Sequence, residues 1–228
     1  MDEAGAIACP SPNHGPRRDG GRPVLVVLHY TAMQSEAAAL ERLCSPAHEV
    51  SAHYLVGRTG RLYQLVPEAE RAWHAGAGRW RGIADVNSNS IGIELDNSGN
   101  TPFSEPLMAR LELLLSNILR RWAIGPRGVI GHQDMAPTRK ADPGRRFDWR
   151  RLARAGLADW PAPAPARAPD PGRFLADAAA YGYDAESGLG PVLAAVRARF
   201  RPWAEGPLSA ADMAVVAGLA LDRAPPRA

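Results

Sequence analysis

Lysine is almost absent from this chain: of 27 basic residues among 228, one is a lysine, Lys140, and the others are arginines. Alanine, arginine, glycine and proline are abundant, as expected of GC-rich coding, so arginine is the default positive charge here. Position 140 departs from that default, and lysine is a compact point charge without arginine's planar fork. Cysteine is also scarce. Cys9 and Cys44 form no CxxC pair, which excludes a disulfide framework and fits a reducing compartment. No stretch reaches the roughly 18 apolar residues of a membrane-spanning helix. The start, Met1-Asp2-Glu3-Ala4-Gly5, is acidic and leads into only a few apolar residues, unlike a signal peptide with its basic start and apolar stretch. A cytoplasmic location is therefore expected, or a periplasmic or secreted one if the start site is mis-assigned. The net charge of +3 and pI near 9.2 do not imply nucleic acid, because the arginines are scattered and lack the interleaved aromatics of a binding stripe. Such a balance suits an anionic polymer surface instead. Oligomeric state is not readable.

Proline marks the organisation. Residues 161–171 hold five prolines in eleven positions and read as a semi-rigid extended linker. The linker separates an expected catalytic domain, 1–160, from a small helical domain, 172–228. In the first, Pro23-Val24-Leu25-Val26-Val27-Leu28 predicts a strand buried on both faces and ending at His29. A short helix is expected around 35–43. The segments 51–56 and 61–66 flank Arg58-Thr59-Gly60 and predict a hairpin, and 90–95 predicts another strand. A helix from about 105 to 123, capped by Ser104, presents Leu107, Leu111, Leu114, Leu115 and Ile118 on one face. Val129-Ile130-Gly131 then leads into His132. The fold class is α/β: a central mixed sheet flanked by helices.

His29, His132 and Asp142 are the candidate metal ligands. Each follows a strand or lies in a Gly/Pro-rich loop, where chemistry sits on a rigid scaffold. Two imidazoles and a carboxylate fill three zinc positions and leave the fourth for water. The competing readings are a hydrogen-bonded core histidine for His29 and a turn or capping histidine for His132. Composition and spacing alone end at a zinc hydrolase as one possibility. In an extended segment, positions 140 and 142 project to the same side.

Five ordered motifs go further: Leu28-His29-Tyr30-Thr31, Ser51-Ala52-His53-Tyr54-Leu55-Val56, Ala72-Trp73-His74-Ala75-Gly76, Ser90-Ile91-Gly92-Ile93-Glu94, and Gly131-His132-Gln133-Asp134 through Lys140-Ala141-Asp142-Pro143-Gly144. Over residues 10–160 they resemble the type 2 N-acetylmuramoyl-L-alanine amidases, most closely the bacterial anhydro-muropeptide and cell-wall branch. The resemblance implies one Zn2+ on His29, His132 and Asp142, with Glu94 as general base and Lys140 as oxyanion stabiliser. The implied substrate is peptidoglycan or a muropeptide, cut between the muramoyl group and L-alanine in wall turnover or recycling. Phage relatives often carry a tyrosine where Ala52 stands and a cysteine ligand where Asp142 stands, so a tyrosine-assisted mechanism is not expected. Trp73, His74, Asn87 and His53 are weaker substrate-binding candidates. His53 is read mainly as a support hydrogen-bonded to a ligand, and Trp73 has a competing reading as core. Asp134 is expected to be a structural acceptor, and His14 and His48 to be exposed. The tail, with Val192, Val196 and Phe200 at helical spacing, resembles a three-helix peptidoglycan-binding module; a helical cap on the catalytic domain is the alternative. A non-catalytic peptidoglycan-recognition protein is the rival for the whole chain, but such proteins typically lose one or more of these five site residues.

Overall fold

The computed structural model describes residue 3 and residues 5–221. Its frame is a six-stranded mixed sheet, in the order β1 (Ile7–Ala8), β5 (Leu62–Gln64), β4 (Tyr54–Val56), β7 (Ser90–Leu95), β3 (Leu25–Tyr30), β8 (Val129–Gly131). β4, β7, β3 and β8 run parallel, β5 pairs antiparallel with β4, and β1 pairs parallel with β5. A separate ribbon joins β2 (His14–Pro16) to β6 (Glu70–Ala72). The expected central mixed sheet is present, and the 58–60 turn closes the expected hairpin between β4 and β5.

β3 is buried on both faces because its neighbours cover it on both. Val26 and Leu28 point toward α2 (Glu105–Trp122), packing with its Leu107, Leu111, Leu114, Leu115 and Ile118. Leu25 and Val27 point the other way, into a core shared with the C-terminal helices α5 (Pro171–Tyr181), α6 (Leu189–Phe200) and α7 (Ala210–Leu221). Further along that face, α1 (Glu36–Cys44) covers Leu55 and Tyr63. Ser104 stands at the start of α2, but its hydroxyl donates to the Arg58 carbonyl instead of capping the helix. Two short helices were not anticipated: α3 (His132–Met135), which begins at a candidate ligand, and α4 (Trp149–Arg154).

The tail contains the three expected helices, and its arrangement is that of a cap packed on the sheet. Phe174, Tyr181, Val196 and Phe200 share one core with Leu25, Val27 and Ile130. The proline-rich connection is not a free spacer either. The Ala162 carbonyl lies so close to Gly218 on α7 that a Cβ there would approach it to 2.1 Å. Cys9 and Cys44 are free thiols with their sulfurs 3.7 Å apart. Among the described residues no helix is long and apolar enough to cross a membrane.

Candidate active site

The site lies at the carboxyl ends of the central parallel strands, where loops emerge from a rigid sheet and ligands of open α/β sheets commonly bind. His29 is next to last on β3, and Glu94 is its register partner on β7. His132 directly follows β8, and Asp142 returns in the next loop with its carboxylate facing both imidazoles. Nδ1 of His29, Nδ1 of His132 and Oδ2 of Asp142 form a triangle with sides of 2.9, 2.9 and 3.1 Å. All three residues are buried.

The surrounding hydrogen bonds decide where the protons are. The Ser90 hydroxyl donates to the Val86 carbonyl at 2.6 Å, so toward His74 Nε2, 3.1 Å away, it acts as acceptor. His74 therefore carries its proton on Nε2, and its bare Nδ1 accepts from His29 Nε2 at 3.0 Å. That leaves Nδ1 of His29 without a proton. His132 Nε2 donates to the Ala75 carbonyl at 2.8 Å, which bares its Nδ1 as well. Burial pushes His29 down to about 4, which keeps its imidazole neutral. Three lone pairs thus converge with no proton between them, an arrangement that only a cation stabilises. The triangle is slightly tighter than the ~3.3 Å edge of a tetrahedron with bonds of ~2.0–2.1 Å to zinc. Two imidazole nitrogens and a carboxylate oxygen fit a borderline-soft divalent ion.

These side chains line a cavity of about 480 Å³, together with Glu94, Lys140, Trp73 and His74. Oε2 of Glu94 is buried with no hydrogen-bond partner. Burial, helped by Asp142, pushes its carboxyl up to about 8, and Lys140 opposes that rise. Lys140 and Asp142 do reach the same space. Trp73 is half-buried on the cavity wall and is not core.

The other candidates divide. His74 borders the cavity and also orients His29. Asn87 does not line the cavity: its Oδ1 accepts from the backbone N–H groups of His74 and Ala75 at 3.1 and 2.9 Å, and so holds that loop in place. His53 makes no bond to a ligand and is absent from the cavity wall. Its Nδ1 accepts from Gly92 N–H at 2.9 Å and its Nε2 donates to the Glu70 carbonyl at 3.1 Å. Gly92 is required at this point, since a Cβ would sit 2.4 Å from the His74 ring. A glycine inside a strand signals such a close approach, and this one could have pointed to His74 as a support. Arg139, which the sequence reading passed over, binds the Ala75 and Ala77 carbonyls and ties the His74 loop to the segment leading into Lys140. His14 and His48 are exposed.

Asp134 is the structural acceptor expected, with partners from further away than expected. It accepts from Gly131 N–H at 2.8 Å, from the Tyr183 hydroxyl at 2.8 Å and from Arg199 on α6 at 2.7 Å. Arg199 is buried, donates also to the Val129 carbonyl, and stacks over Trp149 with its guanidinium carbon 4.2 Å from the ring centre.

Three converging donors that could hold a metal ion, an unpaired carboxylate and an ammonium on one cavity, above the carboxyl ends of parallel strands, suit an α/β hydrolase. The chain belongs to the N-acetylmuramoyl-L-alanine amidase family, whose profile matches residues 19–145. It is 37% identical to the N-acetylmuramoyl-L-alanine amidase AmiD of Escherichia coli, covering 78% of this chain and 75% of that protein. It is 32% identical to the 1,6-anhydro-N-acetylmuramyl-L-alanine amidase AmpD of Escherichia coli, over 65% of this chain and 90% of that one. The structure of Escherichia coli AmiD in complex with the substrate anhydro-N-acetylmuramic acid-L-Ala-D-γ-Glu-L-Lys superposes with a TM-score of 0.81 at 34% identity, covering 90% of this chain and 92% of that chain. AmpDh3 of Pseudomonas aeruginosa gives 0.80 at 27% identity, over 98% of both chains.

Proposed function

We propose that this chain hydrolyses the amide between the muramoyl lactyl group and L-alanine in peptidoglycan fragments that include anhydro-muropeptides, with one zinc ion held by His29, His132 and Asp142. The convergence of three proton-free donors beside a half-buried Glu94 whose Oε2 has no partner carries this reading. When bound, the ion supplies Lewis acidity, polarising the scissile carbonyl and making a water nucleophile available near neutral pH.

The chain's own groups do the rest. The His74 ring, oriented by the Ser90 hydroxyl, and the Ala75 carbonyl fix the two imidazoles in the tautomers that would face the ion. Glu94 sits on the strand beside His29, where its free carboxylate takes a proton from the attacking water and hands it to the departing alanine nitrogen. Burial raises its affinity for a proton, which suits the accepting role. Lys140 brings an ammonium to the same cavity, where the carbonyl oxygen gains charge in the tetrahedral state. Trp73 offers an aromatic wall to the sugar.

The test is zinc stoichiometry together with turnover of anhydro-N-acetylmuramoyl-L-Ala-D-γ-Glu-L-Lys before and after chelation. One zinc per chain, with cleavage lost on chelation and restored by zinc, is expected. Cleavage that survives chelation overturns the metal mechanism. Zinc binding without cleavage returns the chain to recognition alone.

A further inference from the structure

The two cysteines are 35 positions apart in the chain, and the fold brings their sulfurs to 3.7 Å. Each stands on a fixed piece of backbone. Cys9 follows β1, where its N–H donates to the Gln64 carbonyl at 3.0 Å, and Ser11 N–H donates to the Leu65 carbonyl at 2.8 Å. Cys44 is the last residue of α1. Around it the Ser11 hydroxyl donates to the Leu43 carbonyl at 2.5 Å, and the Asn13 amide donates to the Ser45 and Val50 carbonyls at 2.9 and 2.8 Å. Both thiols are half-buried against one apolar cluster that includes Ala39, Leu43 and Leu65, so a small molecule reaches them. The junction they share holds one wall of the metal-cluster cavity. Ala39, Arg42 and Leu43 of α1 line that cavity, followed by Val50 and Ser51. Ser51 in turn donates to the Asn13 carbonyl at 2.6 Å and accepts from Trp73 N–H at 2.8 Å.

We propose that Cys9 and Cys44 are a dithiol that closes to an intrachain disulfide and so clasps α1 to the edge of the sheet in oxidising surroundings. Two cysteines build no framework, but they make one bond, and the chain holds no third thiol to compete for it. The oxidant is a small-molecule disulfide of the glutathione class. The Cys9 thiolate attacks one of its sulfurs, breaking that S–S bond and releasing one small thiolate. The Cys44 thiolate then attacks the Cys9 sulfur of the mixed disulfide, forming the Cys9–Cys44 bond and releasing the second. The two cysteine sulfurs together lose two electrons, the small disulfide is reduced to two thiols, and the two cysteine protons end on those thiols. Burial pushes the Cys44 thiol up, which gives the first attack to Cys9 and quickens the exchange as pH rises. A disulfide is ~2.0 Å long, so a small further approach of the sulfurs completes it while the backbone on both sides stays tied. The bond closes a loop of about 35 residues in the unfolded chain, and such a constraint acts mainly by restricting the unfolded state. It therefore secures the cavity wall against unfolding without adding a group to the cavity, and it stands independently of the amidase reading.

The experiment equilibrates the full chain, with zinc present, in stepped ratios of reduced and oxidised glutathione. Free thiols are counted, and the protein is digested without reduction and mapped by mass spectrometry. Both thiols are expected to disappear together, leaving one peptide pair joined through Cys9 and Cys44 of the same chain. The oxidised protein is expected to melt about 5–10 °C above the reduced one. Dithiothreitol should reverse that shift, and it should be absent from Cys9→Ser and from Cys44→Ala. At a temperature between the two melting points, turnover of the anhydro-muramoyl tripeptide should persist in the oxidised wild type and decay in the reduced protein and in both variants. Glutathione trapped separately on each cysteine, a link between chains, or a linked protein that melts no higher than the reduced one overturns the clasp. Absence of turnover under every condition overturns the amidase reading instead, and the thiol count, peptide map and melting shift then still decide the clasp.

Discussion

Two buried polar clusters grow from one short stretch of chain, Gly131 to Asp142, and they are opposites. Around Asp134 every oxygen has a donor: Gly131 N–H, the Tyr183 hydroxyl and Arg199. Around Asp142 the nearest neighbours are two bare imidazole nitrogens, acceptor facing acceptor. Both carboxylates are almost sealed from water, at 0% and 8% exposure. Burial and charge therefore do not separate a structural acid from a ligand. What separates them is the balance of donors and acceptors. Donors meet both oxygens of Asp134, although Nε of Arg199 keeps no acceptor, whereas only acceptors face Asp142, a set that suits a cation.

The contrast can be broken experimentally, and the largest effect falls on the Asp142 cluster. Replacing His132 with Ala is expected to abolish zinc binding and turnover together while the protein stays folded, as metal analysis, circular dichroism and an amidase assay would show. A folded, metal-free variant that still cleaves would remove the cluster from the chemistry. Substitution in the Asp134 cluster should act on stability. Asp134→Ala leaves the buried Arg199 charge unpaired and is expected to cost about 3–5 kcal/mol in urea unfolding, with part recovered in Asp134→Ala/Arg199→Met. An unfolding curve that does not move would show that this cluster is not holding the C-terminal helices.

Between these lies Lys140, which belongs to the Asp142 side. Lys140→Ala is expected to lower kcat about a hundredfold or more with zinc retained, as on losing one oxyanion donor. Lys140→Arg should also be impaired, because a planar fork does not reproduce a point charge. Equal activity in Lys140→Arg would reduce the single lysine to an accident of coding.

A buried imidazole with matched partners provides a finer check. His53 is pushed down to about 3 by burial and by Arg17, so it stays neutral in the fold while the unfolded chain takes up a proton below its ordinary value near 6.5. Its contribution to stability is intact above pH 6.5 and is lost as pH falls from there toward 3, at about 1.4 kcal/mol per pH unit. His53→Asn should flatten that acid limb in unfolding experiments across pH; an unchanged slope would place the acid sensitivity elsewhere. The smallest effect concerns the His29, His132 and Asp142 cluster after chelation. In the metal-free protein, Asp142→Asn replaces one acceptor with a group that can donate, and is expected to raise stability by about 1 kcal/mol. A loss would mean that a proton already balances the three acceptors.

Much of this was legible in the chain itself, through local patterns. The apolar run before His29 predicted β3, the 3.6-residue spacing of Leu107 to Ile118 predicted the buried face of α2, and Arg58-Thr59-Gly60 predicted the hairpin. The ordered motifs also picked out His29, His132, Asp142, Glu94 and Lys140 as candidates, and the fold brings these five onto one cavity. Only the tertiary structure decided what each polar group faces. It set His53 and Asn87 behind the cavity, made His74 the support of His29, and brought Arg199 across 65 residues to Asp134. It also turned an apparent spacer and separate tail into a packed connection and a cap. The physical reason is that periodicity and turn chemistry are properties of neighbours in sequence, whereas hydrogen-bond balance depends on partners that only folding brings together.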